Sequence, residues 1–488
     1  MDLLIGDVFR AAARAVPGRI AVALGDRTIT YAELDRAANQ HTHALTAMGI
    51  QPRDRVVLWS NTSIDAAPLF AGLAKAGIVF APANALLGVD EAIEMVSMAK
   101  PAALVVDDAH HDAGEKVAVH VGVPLLRLGQ ITDAQTPATE PPRPPISERD
   151  LHVLFFTSGS TGRSKGVMLS HRVNYLRTHP GSQLEPRGPT VCMYPLFHMG
   201  AWTIALQAWQ TQTTLVLVPQ ADARLVCEAV ERWRATHLNA IPAVWQRILQ
   251  HLRDSDRSYD LSSLRLVDSG TSATPPELLD AIKAAVPSAT RRVFYGSTEA
   301  GAVTLLRDED MARKPGSCGV PQHSCDVRID EQTGELLVRG PLLFDGYFDD
   351  PDATAAAFTP DGWFRTGDVA AEDDEGYLSI VGRVRDVIRT GGETVAPSEV
   401  EAALADHPAI ADVAVVGIPD PQWGEIVCAA IVVADRAAAP TLDDLLDHCA
   451  SRLAKFKRPR RLEVVDHIPR TPATNQVQRR LLVERITS

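Results

Sequence analysis

Long apolar runs are missing from the sequence. No stretch approaches the roughly 20 consecutive apolar residues that a membrane-spanning helix requires. The first residues, MDLLIGDVFRAAARAVPGR, have no basic segment ahead of their apolar residues and carry Asp2 and Asp7. This pattern argues against a signal peptide and favours an amphipathic first helix. We therefore expect a cytoplasmic protein without a transmembrane segment.

Cysteine is sparse and its spacing forms no known ligand pattern. The six cysteines lie at positions 192, 227, 318, 325, 428 and 449, and none forms a C-x-x-C pair. Cys318 and Cys325 are close in sequence, but no cluster of His or Cys accompanies them. A zinc site or a disulfide framework is therefore not indicated, and we expect buried or idle thiols.

An excess of basic residues is missing too. Lys and Arg total 48 against 61 Asp and Glu, which gives a net charge of −13. This balance argues against a broad nucleic-acid-binding surface, although acidic proteins still bind phosphates at local sites. Single hydrophobic cores stop growing near about 250–300 residues, so a chain of 488 residues predicts two or three folding units.

The chain does contain regular alternation of strand-like and helix-like segments. Apolar strand-like runs occur at residues 55–60, 102–108, 152–157, 214–219, 264–270 and 291–296. Strands that alternate with helices favour right-handed crossovers and a mainly parallel sheet. Residues 19–30 predict two short strands that turn at Gly25-Asp26. Thr30 and Glu33 then fit a capping box that starts a helix.

The later part of the chain has a different pattern. Residues 137–147 are Pro-rich and indicate a connector, whereas 335–347 and 376–388 are typical of antiparallel β-structure. Beyond the boundary that we place at 382–386, the pattern predicts a helix (398–405), strands (409–417 and 426–433), a helix (441–454) and a basic tail. The fold prediction is α/β, with domains over residues 1–382 and 383–488.

A loop rich in Gly, Ser and Thr directly follows the apolar run 152–157. Its sequence is Thr157-Ser-Gly-Ser-Thr-Gly-Arg-Ser-Lys165-Gly166. Glycines let the backbone bring N–H groups to an anion, hydroxyls add donors, and Lys165 adds a charge suited to phosphate. The spacing is not that of a Walker loop. The alternative, a flexible surface loop, is disfavoured by the strand that leads directly into it.

The segment TSGSTGRSKGVMLSH resembles the phosphate-binding signature of the superfamily of acyl-CoA synthetases, peptide-synthetase adenylation domains and luciferases. Further motifs follow in that family's order: Tyr295-Gly-Ser-Thr-Glu299, Gly362-Trp-Phe-Arg-Thr-Gly-Asp368, Gly376-Tyr…Gly382-Arg383 and Gly391-Gly392-Glu393…Pro397-x-Glu399-x-Glu401. The resemblance implies a large adenylate-forming domain with βαβ sheets and a β-barrel-like part, followed by a small mobile α+β domain. It also implies the use of ATP and Mg²⁺.

The resemblance implies roles for individual residues. Thr298 and Glu299 would contact phosphate and Mg²⁺, Asp368 would accept the ribose hydroxyls, and Arg383 would bind ribose and phosphate oxygens. Tyr295 would stack on adenine opposite residues 270–272. The implied cofactor-binding residues are Thr157, Ser158, Gly159, Ser160, Thr161, Gly162, Gly270, Thr271, Ser272, Tyr295, Gly296, Ser297, Asp368, Ile380, Arg383, Gly391 and Gly392. The alternatives are a turn residue for Asp368 and a core aromatic for Tyr295.

Other segments bear on the acid and on the acceptor. His198, within Tyr194–Gly200, matches the segment that the family places near the acid; the alternative is a structural histidine. Ala201, Trp202 and residues 239–245 are predicted to line the acyl pocket. The Gly391-Gly392 loop resembles acyl-CoA ligases more than peptide-synthetase modules, which favours CoA as acceptor. Arg385 lies at the family's hinge position.

The family's closing lysine is absent from this sequence. The family segment P-R-T-x-T-G-K aligns with Pro469-Arg-Thr-Pro-Ala-Thr-Asn-Gln476, which puts Gln476 in the lysine slot, and no lysine follows Lys457. Four explanations are open: an engineered substitution that traps the adenylate, a non-carboxylate substrate as in diazotases that activate nitrite, a slow first half-reaction, or a nucleotide-binding pseudoenzyme. Intact Lys165, Glu299 and Asp368 disfavour the last. The predicted partner is a small-molecule acid, and the oligomeric state is left open.

Overall fold

The computed structural model describes residues 2–158, 164–179, 188–390, 393–434, 439–450, 452–470 and 477–487. The chain divides into two compact units by packing. The first comprises Met1–Asp326 and Arg339–Phe364, and the second Val327–Val338 and Arg365–Ser488. The domain boundary that the change of sequence pattern places at residues 382–386 stays a prediction.

The first unit contains most of the helices and the larger sheets. Its helices are α1 (Ile5–Ala15), α2 (Tyr31–Ala47), α3 (Ala66–Ala76), α4 (Val89–Ala99), α5 (His111–Val121), α6 (His171–Thr178), α7 (Met199–Gln210), α8 (Ala223–Trp233), α9 (Pro242–Asp254), α10 (Pro276–Ala285) and α11 (Pro351–Ala356). Its strands are β1 (Ile20–Leu24), β2 (Arg27–Thr30), β3 (Arg55–Trp59), β4 (Val79–Ala83), β5 (Ala103–Val106), β6 (Leu125–Arg127), β7 (Leu151–Ser158), β8 (Ser164–Ser170), β9 (Thr190–Cys192), β10 (Leu215–Leu217), β11 (His237–Asn239), β12 (Leu266–Gly270), β13 (Thr290–Ser297), β14 (Gly301–Arg307) and β15 (Val320–Pro321).

One sheet of the first unit has the strand order β6-β5-β3-β4-β7-β8. The pairs from β6 to β7 are parallel, as predicted, and β8 returns antiparallel to β7. Strand β4 was not predicted, because Pro82 argues against a strand interior in the sequence. It is nevertheless buried along its whole length between β3 and β7. This sheet carries both ends of the Gly/Ser/Thr loop, since β7 leads into the loop and β8 follows it.

A second sheet has the order β15-β14-β13-β12-β11-β9-β10-β1-β2. The strands from β13 to β1 pair in parallel, and antiparallel strands flank them on both sides. The predicted hairpin is confirmed, with Gly25 at a φ of 57° between β1 and β2. The capping box is confirmed as well: Thr30 accepts from the Glu33 backbone N–H, and the Glu33 carboxylate accepts from the Thr30 N–H.

The second unit is built from antiparallel sheets and short helices. Its strands are β16 (Asp326–Ile329), β17 (Glu335–Arg339), β18 (Phe364–Glu372), β19 (Leu378–Arg383), β20 (Ile388–Thr390), β21 (Glu393–Val395), β22 (Ile410–Asp420), β23 (Gly424–Val433) and β24 (Arg461–Val464), of which three share an end residue with the first unit. Its helices are α12 (Pro397–Leu404), α13 (Leu442–His448) and α14 (Arg479–Thr487). The sheets run β16-β17-β18-β19 and β21-β20-β23-β22, with β24 paired to β23.

Two predictions for the second unit need correction. Helix α13 ends at His448, not at residue 454, because Cys449 and Leu453 continue into turns that bury both side chains. The segment predicted only as a basic tail contains strand β24 and helix α14. Leu482 of α14 is fully buried in a cluster with apolar residues of β22 and β23. This contact packs the otherwise charged helix against the sheet.

Across the part of the chain that the structure describes, no helix has the length and apolar character needed to cross a membrane. All six cysteines are free, and four of them are buried. Burial raises the pKa of the Cys192 thiol to about 12, so it stays protonated at neutral pH. The expectation of buried or idle thiols is therefore confirmed for most of them.

Candidate active site

The ends of the Gly/Ser/Thr loop lie opposite each other on two paired strands. Thr157 of β7 faces Lys165 of β8 in the register, and Gly166 faces Phe156. A Cβ on Gly166 would lie 3.0 Å from Leu154 and 3.2 Å from Phe348, so the close packing favours glycine. The predicted contacts of Gly159, Ser160, Thr161 and Gly162 lie outside the described residues, and they remain predictions, as does the role of the Ser158 side chain.

The segment that contains Thr298 and Glu299 follows strand β13. The Glu299 carboxylate accepts a hydrogen bond from the Tyr347 hydroxyl at 3.2 Å. The Glu299 backbone carbonyl accepts from the Phe344 N–H at 2.8 Å, and the Ser297 hydroxyl accepts from the Ala300 N–H at 3.0 Å. The predicted magnesium ligand is thus held at its backbone and at its side chain. A carboxylate held in this way loses less freedom when it binds a cation.

Arg177 of helix α6 binds the backbone of the segment that contains Thr298 and Glu299. This role was not predicted from the sequence. Within the described part of the chain, its guanidinium donates to the carbonyl oxygens of Thr298 at 2.9 Å, Glu299 at 2.7 Å and Leu342 at 2.6 and 2.8 Å. The Met199 sulfur accepts a further, longer contact at 3.5 Å. All five donors are therefore used by the protein, which makes Arg177 a clamp rather than a substrate ligand.

The environment of Arg177 is unusual for an arginine. Burial lowers its pKa to about 10, although the nearby carboxylates of Glu299 and Asp345 favour the charged form. No local sequence pattern separates Arg177 from Arg172 in the same helix, which is 40% exposed and pairs with Glu148. The carbonyl partners of Arg177 lie 121 to 165 residues away, so only the folded chain identifies it.

The predicted adenine-binding residues lie at the carboxyl ends of β12 and β13. Gly270 ends β12 opposite Phe294, the residue before Tyr295. A Cβ on Gly270 would come within 2.6 Å of the Phe294 carbonyl oxygen, so only glycine fits there. Thr271 follows with a φ of 66°, and Tyr295 is partly exposed rather than buried in the core. The structure thus brings these residues together and disfavours the core-aromatic alternative for Tyr295.

A buried charge cluster supports this wall from within the sheet. The Asp268 carboxylate contacts His237 Nε2 at 2.5 Å and Arg292 Nε at 2.8 Å. Burial alone would raise the pKa of Asp268, but Arg292 and His237 outweigh it and hold the pKa below its usual range. Trp245 donates from its indole N–H to the Asp268 carbonyl at 3.0 Å. This cluster, which the sequence did not predict, connects β11, β12 and β13 directly below Gly270.

His198 has a structural role as the N-cap residue of helix α7. Its Nδ1 accepts a hydrogen bond from the Gly200 N–H at 3.0 Å and so caps helix α7, and its ring stacks on Tyr194 at 5.7 Å. Burial lowers the pKa of His198, which favours the neutral ring that this cap requires. Its predicted place near the acid stays a prediction.

The aromatic residues predicted to line an acyl pocket are packed in the core. Trp202 is 4% exposed, stacks on Phe70 at 4.3 Å and donates to the Leu196 carbonyl at 2.6 Å. Trp245 is 1% exposed. Little of either ring is accessible, and the prediction that these residues line the acyl pocket stays a prediction.

The predicted ribose-binding residues lie together in the second unit. Asp368 of β18 and Arg383 of β19 are register partners, and the Arg383 Nε lies 2.8 Å from the Asp368 carboxylate. The Asp368 N–H donates to the Thr366 hydroxyl at 3.1 Å. Asp368 is 5% exposed, and Ile380 lies farther along the same strand as Arg383, opposite Ala370. Asp368 is therefore a strand residue in an ion pair, not merely a turn residue after Gly367.

Gln476, Gly391 and Gly392 lie outside the described residues, so their predicted roles stay predictions. The chain on either side of the Gln476 segment is held in place. Arg470 and Val477 form an antiparallel bridge, and the Gln478 N–H donates to the Pro469 carbonyl at 2.8 Å. Arg479 then pairs with Glu401 at 2.5 Å.

Comparison with known proteins defines the class of protein. Residues 9–348 match the AMP-binding enzyme family, and residues 399–474 match the AMP-binding enzyme C-terminal domain. The chain therefore belongs to the family of AMP-binding enzymes, and the predicted superfamily is confirmed.

Particular relatives resemble the chain along nearly its whole length. A feruloyl-CoA synthase of an Amycolatopsis species is 37% identical over 94% of both chains, and a long-chain-fatty-acid–CoA ligase of Mycobacterium tuberculosis is 33% identical over 95% of this chain and 94% of its own. ATP-bound MatB from Rhodopseudomonas palustris has a TM-score of 0.88 at 28% identity, covering 100% and 99% of the two chains. O-succinylbenzoate CoA synthetase from Bacillus subtilis, with ATP and magnesium, has a TM-score of 0.87 at 26% identity over 97% and 98%. The α/β fold with a large and a smaller domain is thereby confirmed.

Proposed function

We propose that this protein activates a carboxylic acid with ATP, releases pyrophosphate, and transfers the acyl group from the adenylate to CoA. The observation that carries the proposal is the joint position of Lys165 and Glu299, which contact the ring face and the hydroxyl of the same tyrosine, Tyr347. An ammonium group and a carboxylate near one tyrosine support a role for Lys165 toward phosphate and for Glu299 toward a metal. The named relatives, which are synthases and ligases of CoA esters, support the same reaction.

The residues present suit a magnesium ion that arrives with the nucleotide. Glu299 offers a carboxylate and Thr298 a hydroxyl, both of which are hard oxygen donors. Among the described residues, no group of three or more His, Cys, Asp or Glu side chains is placed to hold a metal by itself. This suits Mg²⁺, which commonly takes one or two carboxylates and completes its shell with phosphates and water. When bound, the ion would neutralise charge on the phosphates.

The remaining nucleotide contacts follow from the chemistry of each group. Lys165 and the Gly/Ser/Thr loop would bind the β- and γ-phosphates, and Tyr295 would stack on adenine with residues 270–272 as the other wall. In the second unit, Asp368 would accept hydrogen bonds from both ribose hydroxyls, with Arg383 beside it. An ionised carboxylate has enough lone pairs to keep its contact with Arg383 and accept both hydroxyls.

Two half-reactions follow from this arrangement. In the first, an acid oxygen attacks the α-phosphorus, the bond to the bridging oxygen of the β-phosphate breaks, and pyrophosphate leaves. In the second, the CoA sulfur attacks the acyl carbon, and AMP leaves. Charge builds up around the α-phosphate in the first step, where the family places its lysine. Gln476 can donate a hydrogen bond there but carries no charge.

CoA is the acceptor that the relatives favour. The relatives described above act, by their names, as synthases or ligases of CoA esters, and the alternative of nitrite activation finds no support among them. Ferulate and long-chain fatty acids belong to different chemical classes, so the relatives define a carboxylic acid without selecting one. The buried positions of Trp202 and Trp245 do not narrow the choice further.

The test is a product analysis with a panel of acids. The protein is incubated with ATP, Mg²⁺ and CoA together with hydroxycinnamic, aryl-acetic and fatty acids, and separately with nitrite and an aryl amine. We expect AMP and pyrophosphate with one class of carboxylic acid, accompanied by equal loss of free thiol. ADP as the main product would contradict adenylation. AMP formation with nitrite, without loss of thiol, would contradict the carboxylic-acid substrate and the CoA acceptor but not adenylation.

A further inference from the structure

Tyr347 contacts two charged groups that the proposed reaction uses. The Lys165 Nζ lies 4.4 Å from the centre of its ring, within the range of a cation–π contact. The Tyr347 hydroxyl donates to Glu299 Oε1 at 3.2 Å. The lysine and the glutamate therefore meet different parts of one side chain. Tyr347 itself is 8% exposed, whereas Lys165 and Glu299 are both partly exposed.

This arrangement keeps opposite charges available for substrate. A Lys–Glu pair in direct contact would attract strongly even near a protein surface. Phosphate and metal would have to break that pair before they could bind. Contact with the tyrosine gives each charge a partner without neutralising it, since the ring and the hydroxyl carry no net charge. Both charges are then ready for ligands of opposite sign.

We propose that Tyr347 is a positioning residue that orients Glu299 for the metal and keeps Lys165 apart from it for the phosphates. This inference rests on the proposed function, because it assigns Lys165 and Glu299 the ligands named above. Tyr347 itself touches no reacting atom in this scheme. Its two contacts serve two different ligands, so they can be removed separately.

The backbone around Tyr347 is held independently of its side chain. Residue 347 pairs with Val167 in an antiparallel bridge, and its N–H donates to the Thr354 hydroxyl at 2.9 Å. On either side of it, the Phe348 N–H donates to the Gly166 carbonyl at 2.8 Å and the Met168 N–H donates to the Gly346 carbonyl at 3.0 Å. A change in the side chain should therefore leave the strand contact between residues 344–348 and β8 in place.

The Tyr347 hydroxyl is the donor in its contact with Glu299. An ionised carboxylate has no hydrogen to donate and can only accept, here at 3.2 Å. Because Glu299 is negative, this is a charge-assisted hydrogen bond, which is stronger than one between neutral groups.

Two variants separate the contacts. Tyr347→Phe keeps the ring beneath Lys165 and removes only the donor to Glu299. Tyr347→Leu removes both the ring beneath Lys165 and the donor to Glu299. Each is compared with the unmodified protein in equilibrium binding of a non-hydrolysable ATP analogue at a series of Mg²⁺ concentrations. Mn²⁺ bound in the presence of the analogue is measured in parallel by electron paramagnetic resonance, and thermal unfolding is recorded for every variant.

For Tyr347→Phe we expect the Mg²⁺ concentration at half-saturation to rise about ten-fold, with nearly unchanged analogue affinity at saturating Mg²⁺. For Tyr347→Leu we expect the same metal defect together with a loss of about ten-fold or more in analogue affinity at saturating Mg²⁺. An unchanged metal dependence in Tyr347→Phe would overturn the orientation of Glu299. Equal analogue affinity in the two variants would overturn the role toward Lys165. Failure of the unmodified protein to form AMP, with the binding pattern intact, would contradict the proposed function and leave this inference standing.

Discussion

The key carboxylates of the two units have different partners, one neutral and one charged. In the first unit, Glu299 receives a neutral donor, the Tyr347 hydroxyl, and its charge stays uncompensated at that contact. In the second unit, Asp368 lies 2.8 Å from the charged Arg383. A carboxylate that must attract a cation needs its charge, whereas one that accepts hydroxyl hydrogen bonds needs only its lone pairs. The difference in partners therefore suits the metal-binding role proposed for Glu299 and the ribose-binding role proposed for Asp368.

Among the variants that test this comparison, we expect the largest effect from removing the charge of Glu299. Glu299→Gln keeps the shape and the hydrogen bond to Tyr347 but removes the negative charge. We expect kcat/KM for adenylation to fall by about 10²–10³-fold, the usual cost of losing one preorganised electrostatic group. Steady-state pyrophosphate release measures it. The exposed Glu277→Gln in the same unit removes the same charge and should retain full activity. Equal losses in both variants would indicate a general charge effect instead.

Arg177 tests whether the Glu299 segment is held by shape or by charge. Arg177→Lys keeps the positive charge but cannot supply five donors, so carbonyl oxygens of Thr298, Glu299 and Leu342 lose partners. We expect the free energy of unfolding to fall by about 2–4 kcal/mol. Denaturant unfolding measures it, with Arg172→Lys on the same helix as a matched control that should cost less than about 0.5 kcal/mol. Equal stability of both variants would contradict the clamp.

Features of the fold and the site could be predicted from the sequence where they depend on residues close together in the chain. The Thr30–Glu33 capping box and the hairpin at Gly25 were predictable, because each rests on a local pattern. Ordered motifs singled out Asp368 and Arg383, but the strand that carries Asp368 was not predicted. Arg177, Tyr347 and the Asp268 cluster were not predictable, because their partners come from distant strands. The packing of Trp202 was not predictable for the same reason, since a tryptophan bears no local sign that Phe70 will stack on it.

The proposed ribose-binding role of Asp368 is tested by removing its carboxylate. Asp368→Ala should weaken ATP binding by roughly 1.5–3 kcal/mol, the scale of hydrogen bonds to a charged group. Because Mg²⁺ would be held by the other unit, the Mg²⁺ dependence of binding should stay unchanged. Isothermal titration with ATP analogue and metal measures both quantities, and the exposed Asp374→Ala serves as the control. Unchanged ATP affinity in Asp368→Ala would remove Asp368 from the site.

The smallest expected effect is a gain. Gln476→Lys restores a fixed cation where charge builds up in the first half-reaction, so adenylation should accelerate by at least about ten-fold. Thioester formation from supplied acyl-adenylate should change little. Single-turnover kinetics of each half-reaction measures this, and Gln478→Lys adds the same charge two residues away as a control. Slower adenylation in Gln476→Lys would identify the glutamine as an adaptation to a different kind of acid.

The central claim, formation of an acyl-adenylate, is tested most directly by isotope exchange between labelled pyrophosphate and ATP. Adenylation is reversible before CoA acts, so the reaction is run without CoA, with Mg²⁺ and the acid that supports AMP formation. We predict that label from pyrophosphate appears in ATP only when the acid is present, and that this exchange is lost in Glu299→Gln. Turnover of ATP to ADP and phosphate, with no label returned to ATP, would contradict this prediction.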